Sequence, residues 1–395
     1  MATERTSTRI ENGVASVTVL LHAAFVLTGI VNTILGPLLP TLISKWTLDD
    51  AHAARLFTAQ FIGSVLGVIG SSWIAPRWGS RPALVLGLTA MAAGIGSLGS
   101  GSWVAGMAST FCMGVGMGLT IPTTNLLVSE LNPRRRAAAL NFVNLAWGLG
   151  AVLCPFLVAG LDHLRHLAWL PYGVAAFLVL LTVILARATF PDAPVEKQGS
   201  QVTALNSRIW RSRFVPILGA LFFIYVGSET SVGGWIATYA HRTMANPGTK
   251  WEMMPAFFWA ALLGGRAIAP AVLRKVSEIH VAQIGLTMAG VGVVLLLLAR
   301  NGWALAASVA LSGLGFSSVY PIAIAMLSHK FGKFATRIGG LTFTLAGIGG
   351  ATLPWLVGYL STSFGRLEVG LLVPLIGCIS MLLLSFPLST KSSTT

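Results

Sequence analysis

Charge is what this chain has least of. Only 10% of its 395 residues are Asp, Glu, Lys or Arg, against about a quarter in a soluble globular protein. A mainly water-facing fold is therefore excluded. Cysteines number three. Cys112, Cys154 and Cys378 all fall in apolar stretches and read as small core residues, with no disulfide or metal framework expected. Among the histidines only His22 falls well inside an apolar stretch, which argues against a buried histidine metal site. The GxxxxGK[ST] pattern of an ATP-binding loop is missing, so ATP hydrolysis is not expected. No cofactor is expected, and no enzyme activity: neither a metal-ligand cluster nor a Ser–His dyad falls within the apolar stretches.

Apolar residues make up 54% of the chain. A membrane-spanning helix needs roughly 20 of them in succession. Twelve such stretches can be read, near 15–40, 52–75, 82–100, 103–128, 136–160, 167–188, 214–240, 252–274, 280–299, 303–328, 335–361 and 367–388. The fold class expected is an all-α membrane protein of twelve transmembrane helices. The N-terminal stretch MATERTSTRIENG leads into a first span too long for a signal-peptide core, so it reads as retained.

The net charge of +14 is explained by topology, and nucleic acid is not an expected partner. With both termini on one side, 18 basic residues fall on that side and 7 on the other. Loops rich in Lys and Arg stay in the cytoplasm, so both termini are expected there. Membrane lipid is an expected contact of this charge. The least hydrophobic connection, Phe190–Arg213, also falls on the cytoplasmic side. It divides the chain into a six-helix bundle over 1–189, a linker over 190–213 and a second six-helix bundle over 214–395. An internal repeat supports the division: Gly114–Val158 aligns without gaps on Gly313–Val357 at an offset of 199, with nine of 45 positions identical. Gly114/Gly313, Gly150/Gly349 and Pro122/Pro321 are among them, and Gly and Pro are costly in ordinary helices.

One acid stands apart. Glu229 is the only carboxylate deep inside an apolar stretch, in Phe214–Ala240. Charge at that depth is expensive and usually marks an ion or substrate pathway. Three roles are open: carrying a proton, holding substrate hydroxyls or sodium, or neutralising Arg266, the one basic residue within a span. At about 1.5 Å of rise per residue, Glu229 lies about 24 Å above Arg213 and Arg266 about 13 Å above Lys275. That offset leaves the pairing open. Neutral amides and aromatic faces also occur within spans, and together they suit a sugar, whose hydroxyls take hydrogen bonds and whose C–H face packs on rings. The amides are Asn32, Gln60, Asn125, Asn141 and Asn144; the aromatics are Trp147, Trp235, Trp259 and Tyr320. Asn141 and Asn144 share a helix face. Each has a structural alternative, since Asn also joins membrane helices by hydrogen bonds and Trp also packs. Gly233-Gly234 either relieves crowding or breaks its helix as a gate. Tyr320-Pro321 marks a kink.

Pro76–Pro82, PRWGSRP, resembles the D-R-x-G-R-[RK] loop of the major facilitator superfamily. Arg77, Gly79 and Arg81 match; Pro76 replaces the Asp and Ser80 an Arg. The resemblance implies a cytoplasmic latch in which Arg77 meets Glu130, with Arg134–Arg136 nearby. A narrower resemblance is to the fucose–proton symporter and sodium-dependent glucose transporter branch. It is carried by Asn32–Pro37, Leu140–Asn144, Asn125, and Tyr225–Glu229 followed by Gly233-Gly234-Trp235. The symporter's acidic positions are Thr33 and Ile121 here, so proton coupling through them is not implied. The resemblance implies a monomeric bacterial inner-membrane transporter moving a small neutral sugar, most simply a hexose, by alternating access. Uniport and symport with proton or sodium stay open. Substrate residues would be Asn32, Asn125, Asn141, Asn144, Trp147, Glu229, Trp235, Trp259 and Tyr320, with Glu229 the candidate for ion coupling. The rival reading, an exporter of amphipathic drugs or lipids, predicts a larger and mostly apolar cavity.

Overall fold

The computed structural model describes residues 2–133, 135–188, 212, 214–244, 250–332 and 335–389. Apart from Ser212, the linker expected at 190–213 lies outside the described residues. The first bundle contains α1 (Ala2–Thr33), α2 (Leu35–Trp46), α3 (Asp50–Trp78), α4 (Ser80–Ser97), α5 (Trp103–Leu131), α6 (Arg136–His163) and α7 (Leu170–Arg187). The second contains α8 (Phe214–Thr243), α9 (Met254–Val272), α10 (Glu278–Leu298), α11 (Gly302–Phe316), α12 (Val319–Phe331), α13 (Ala335–Phe364), α14 (Leu367–Gly370) and α15 (Leu372–Ser389). Spans alternate in direction. The ends of α7 and α8 that flank 190–213 define a linker end of the molecule, and the opposite end is called the far end.

Ten stretches among the described residues are long and apolar enough to cross a membrane as helices, and the bent pair α1–α2 makes an eleventh. The twelfth place belongs to α4, only 18 residues long and opening on Ser80-Arg81-Pro82. Two expected spans are each broken in the middle. The first bends by 42° between Thr33 and Leu35, because Pro37 has no N–H for the Thr33 carbonyl and its ring crowds that carbonyl. The tenth breaks at Ser317-Ser318, between α11 and α12, four residues before Pro321. By contrast α8 runs unbroken through Gly233-Gly234. Of the two roles considered for this pair, relief of crowding is the one the helix has: a Cβ at Gly233 would meet the Trp259 ring and one at Gly234 the Phe57 ring.

Repeated glycines do the same work in both bundles. A Cβ on Gly114 would fall against the Gln60 carbonyl of α3, and one on Gly313 against the Phe258 carbonyl of α9. Gly150 meets the Val26 carbonyl and Gly349 the Phe223 carbonyl in the same way. Within hydrocarbon, helices gain little from hiding apolar surface and associate by close backbone packing at small residues. The repeat in the sequence is thus a repeat of helix crossings.

These crossings make a test. Gly313→Val forces α11 away from α9 and should cost about 1–3 kcal/mol, the usual toll of overpacking. Gly160, with nothing within 4 Å of an added Cβ, is the control. Melting in detergent, followed by size-exclusion chromatography, should show a clear loss for Gly313→Val and little for Gly160→Ala. Equal stability would mean that the crossing is not close.

Candidate functional site

At the α1–α2 break the two bundles enclose a cavity. Asn32, Thr33, Gly36, Phe57, Gln60 and Phe61 line it from the first bundle; Thr230, Gly233, Gly234 and Trp259 line it from the second. Its internal space is about 30 Å³, enough for one or two water molecules and too little for a sugar without widening. Gln60 is buried, with its amide nitrogen 3.5 Å from the Asn32 carbonyl and 4.0 Å from the Met117 sulfur. Both contacts are weak, so the Gln60 amide stays available. The Trp259 indole N–H is buried without a partner. Thr33 spends its hydroxyl on the Gly29 carbonyl, 2.9 Å away. One side of the cavity therefore carries amides and the other an indole.

One turn toward the linker end from Gly233, on the same face of α8, stands Glu229. Its Oε1 lies 2.9 Å from the Tyr225 hydroxyl and 3.5 Å from Nη2 of Arg266. Glu229 is 13% exposed and Arg266 26%, so the pair is reached from the open side. The Arg266 Nε is buried and unpartnered, while the guanidinium faces both Glu229 and the Tyr225 hydroxyl. The pairing that the depth offset left open is made in the structure, where the long arginine arm brings Nη2 of Arg266 to the Glu229 carboxylate. Arg266 and Trp259 are seven residues apart on one stripe of α9, which puts the ion pair two turns below the indole.

The far end is shut. Arg242 holds Asp50 with two parallel hydrogen bonds, Nη1 to Oδ2 at 2.7 Å and Nη2 to Oδ1 at 2.6 Å. Ser361 donates to Asp50 Oδ2 at 2.5 Å. Three helices, α3, α8 and α13, are tied here at one buried carboxylate. Below it Gly36 meets the Gly233 carbonyl, and Gly358 meets the Asp50 carbonyl. Toward the linker end contacts between the bundles include Gly347 on Val65 and Gly148 on Leu263. Beyond them Asn141, Asn144, Leu145, Trp73 and Phe343 are exposed. The cavity is closed to the far end and open toward the linker end.

The residues expected at the site are placed unequally. Asn32 and Trp259 line the cavity, and Glu229 lies just below it. Trp147 meets Trp259 edge to face, with centroids 5.8 Å apart. Asn141 and Asn144 sit on the open side, outside the lining, and Asn144 donates to its own helix at Leu140 O, 2.7 Å away. Asn125 is half-buried in α5 with its Oδ1 unpartnered. Trp235 is fully buried and donates to Pro354 O at 3.1 Å, which makes it a joint between α8 and α13 in this state. Tyr320 packs on Phe222 and Tyr225 within the second bundle. The latch partners are apart: Arg77 lies over the Trp73 ring and donates to Trp73 O at 3.1 Å, and Glu130 is exposed. Gly79 forms the turn after α3 with φ of 86°, and Arg81 is exposed. Arg134 lies outside the described residues. Gln60, weighed lightly in the sequence, and the Asp50–Arg242 clasp were missed as central features. Only the position of Asp50 and Arg242 beside the same end of their spans hinted at the clasp.

The profile of the Major Facilitator Superfamily matches residues 21–354. The chain belongs to this superfamily of membrane transporters. It is 23% identical over 358 residues to the glucose/mannose transporter GlcP of Bacillus subtilis (strain 168), covering 86% of each chain. It is 28% identical over 212 residues to a glucose/galactose transporter of Brucella abortus biovar 1 (strain 9-941), covering 52% of this chain and 50% of that one. A niacin transporter of Acinetobacter baylyi (strain ATCC 33305 / BD413 / ADP1) is also similar, at 26% identity over 225 residues, 53% of this chain and 50% of that one. Among solved structures, the xylose transporter of E. coli in its inward-open conformation superposes with a TM-score of 0.76 at 15% identity, covering 96% of this chain and 98% of that one.

Loosening the clasp should open the far end. Asp50→Asn keeps the size and removes the charge that both Arg242 nitrogens share. A thiol at Ala54→Cys, fully buried under the clasp, should then react with an impermeant maleimide about tenfold faster, the worth of one charge-assisted hydrogen bond. An unchanged rate would show that packing alone keeps this end shut.

Proposed function

We propose that the chain moves a small neutral sugar, most simply a hexose, across the membrane by alternating access, as a uniporter or a proton symporter. The observation that carries this reading is the composition of the central cavity. Asn32 and Gln60 offer amides that donate and accept together, and Trp259 offers both an apolar face and a free N–H. Hydroxyls need such two-way partners, whereas an amphipathic drug needs a larger apolar surface. The names of the glucose relatives support the same class. On this reading the linker end is cytoplasmic, in keeping with the basic residues on that side, and the structure stands for the inward-open state. The small cavity is then the narrow form of a site that widens when sugar enters.

The test is counterflow in proteoliposomes loaded with single sugars, with and without a pH or sodium gradient. Exchange of at least one hexose supports the reading; exchange only of amphipathic cations or lipids overturns it. Gln60→Ala should weaken the favoured sugar about tenfold, since a hydroxyl loses its partner at about 1–3 kcal/mol, and leave melting near the parent value. Glu229→Gln separates two roles. Loss of gradient-driven accumulation with exchange kept identifies Glu229 as the proton carrier, while joint loss of both identifies it as a hydroxyl ligand. Wild-type rates in both modes would leave it a structural charge held by Arg266 and Tyr225.

A further inference from the structure

The Tyr225 hydroxyl lies between two acceptors. Glu229 Oε1 is 2.9 Å away and Phe316 O is 3.1 Å away. A phenol carries one proton and donates to one acceptor at a time. The second acceptor has a special place. Phe316 is the last residue of α11, and α12 begins at Val319. Its carbonyl is among those a helix end leaves without an N–H, and Pro321 blocks repair of the ladder one residue on. The Tyr225 ring also touches both sides of the break, Phe316 at 5.8 Å and Tyr320 at 5.5 Å between centroids. Tyr225 is buried, so water does not replace its hydroxyl.

We propose that Tyr225 is a positioning residue that couples the charge of Glu229 to the break between α11 and α12. An ionised Glu229 draws the phenol proton to itself, and the Phe316 carbonyl is left without a strong donor. A neutral Glu229 carries its own O–H, which donates to the phenol oxygen and turns the phenol proton to Phe316 O. The chain then reads Glu229 O–H to Tyr225 O–H to Phe316 C=O, and the end of α11 is capped. No proton leaves its oxygen in this exchange; only the direction of donation changes. Loading of Glu229 thereby stabilises one geometry of the break, and α12, which carries the linker-end half of that span, follows. Arg266 from α9 reaches both Glu229 and the Tyr225 oxygen, to which it can only donate, so it does not compete for the phenol proton. Tyr320 from α12 is the other titratable group that acts on Glu229, and among the described residues α13 and α15 bring none to bear on it.

This inference rests on the transport reading only for its sugar assay, so the test has two arms. Tyr225→Phe keeps the ring and both ring contacts and removes the one hydroxyl. In the first arm, exchange of the favoured sugar is measured between about pH 5 and about pH 9. The parent should vary about tenfold across the range, the worth of one hydrogen bond to a charged group. Tyr225→Phe should be nearly flat, with sugar affinity little changed, although Glu229 and Arg266 are intact. The second arm needs no sugar. Spin labels at Trp78→Cys and His329→Cys, both exposed, in a Cys112→Ser background report the distance between α3 and α12 at the linker end. That distance distribution should shift with pH in the parent and not in Tyr225→Phe or Glu229→Gln. A parent-like pH response of Tyr225→Phe in either arm overturns the coupling and leaves the transport reading untouched. A parent distance that ignores pH also overturns it. A pH-dependent distance in a protein that exchanges no sugar keeps the coupling and sinks the transport reading.

Discussion

Every backbone carbonyl released from a helix inside a membrane must find its donor within the protein, because hydrocarbon offers none. This chain breaks two of its spans at membrane depth, and beside each break a neighbouring helix places a polar side chain near a backbone carbonyl. At the first, the Gln60 amide of α3 makes only a weak contact with the Asn32 carbonyl, at 3.5 Å. At the second, the Phe316 carbonyl is met by the Tyr225 hydroxyl of α8. Gln60 also lines the central cavity and Tyr225 also holds Glu229. On the proposed reading, a change in what these side chains bind would be a change in how well a break is held, which would give the site a direct hold on helix geometry.

The two ends of the molecule differ in the kind of force that closes them. At the far end a single carboxylate, Asp50, is shared by Arg242 and Ser361, under which glycines let the helices touch through their backbones. A bidentate guanidinium contact is directional and is lost over a short displacement, so this closure is either made or broken. At the linker end Arg77 is occupied by its own helix and by the Trp73 ring. On the proposed reading, a clasp at one end and an Arg77 held within its own helix at the other would suit one of the two end states of alternating access. The clasp joins residues 192 apart in sequence, which ties its making to the docking of whole bundles and not to any local fold.

Much of this was legible in the sequence. The shortage of charge announced the membrane, and the offset of 199 announced paired bundles, since glycines required by helix crossings recur wherever the crossing recurs. Glu229 was visible because a charge in hydrocarbon is costly and needs a reason to be there. Other features were not legible, for identifiable reasons. The Asp50–Arg242 clasp uses ordinary residues at span ends, where charge is expected anyway. Gln60 looks like any amide until Pro37 bends α1 toward it. Whether Arg266 meets Glu229 could not be read from depth along the helices alone, because a long arginine arm spans several ångströms. Trp235 carried the right motif, but its N–H is spent on Pro354.

The cavity itself explains why amides counted along the sequence divide into two groups. Asn32 and Gln60 sit where both bundles touch, and there a hydroxyl can be held from two sides. Asn141 and Asn144 lie nearer the open end, where Asn144 has turned back to its own helix at Leu140. An amide satisfied by its own backbone costs nothing in a wet vestibule and remains free to turn outward once the vestibule closes. On the proposed reading, widening the centre around a ligand and narrowing the linker end would both be motions of one bundle against the other, starting from the state in which the far-end clasp is made. Residues distant in one state would then become neighbours in the other without either bundle repacking, since glycine crossings already pack the helices of each bundle backbone to backbone.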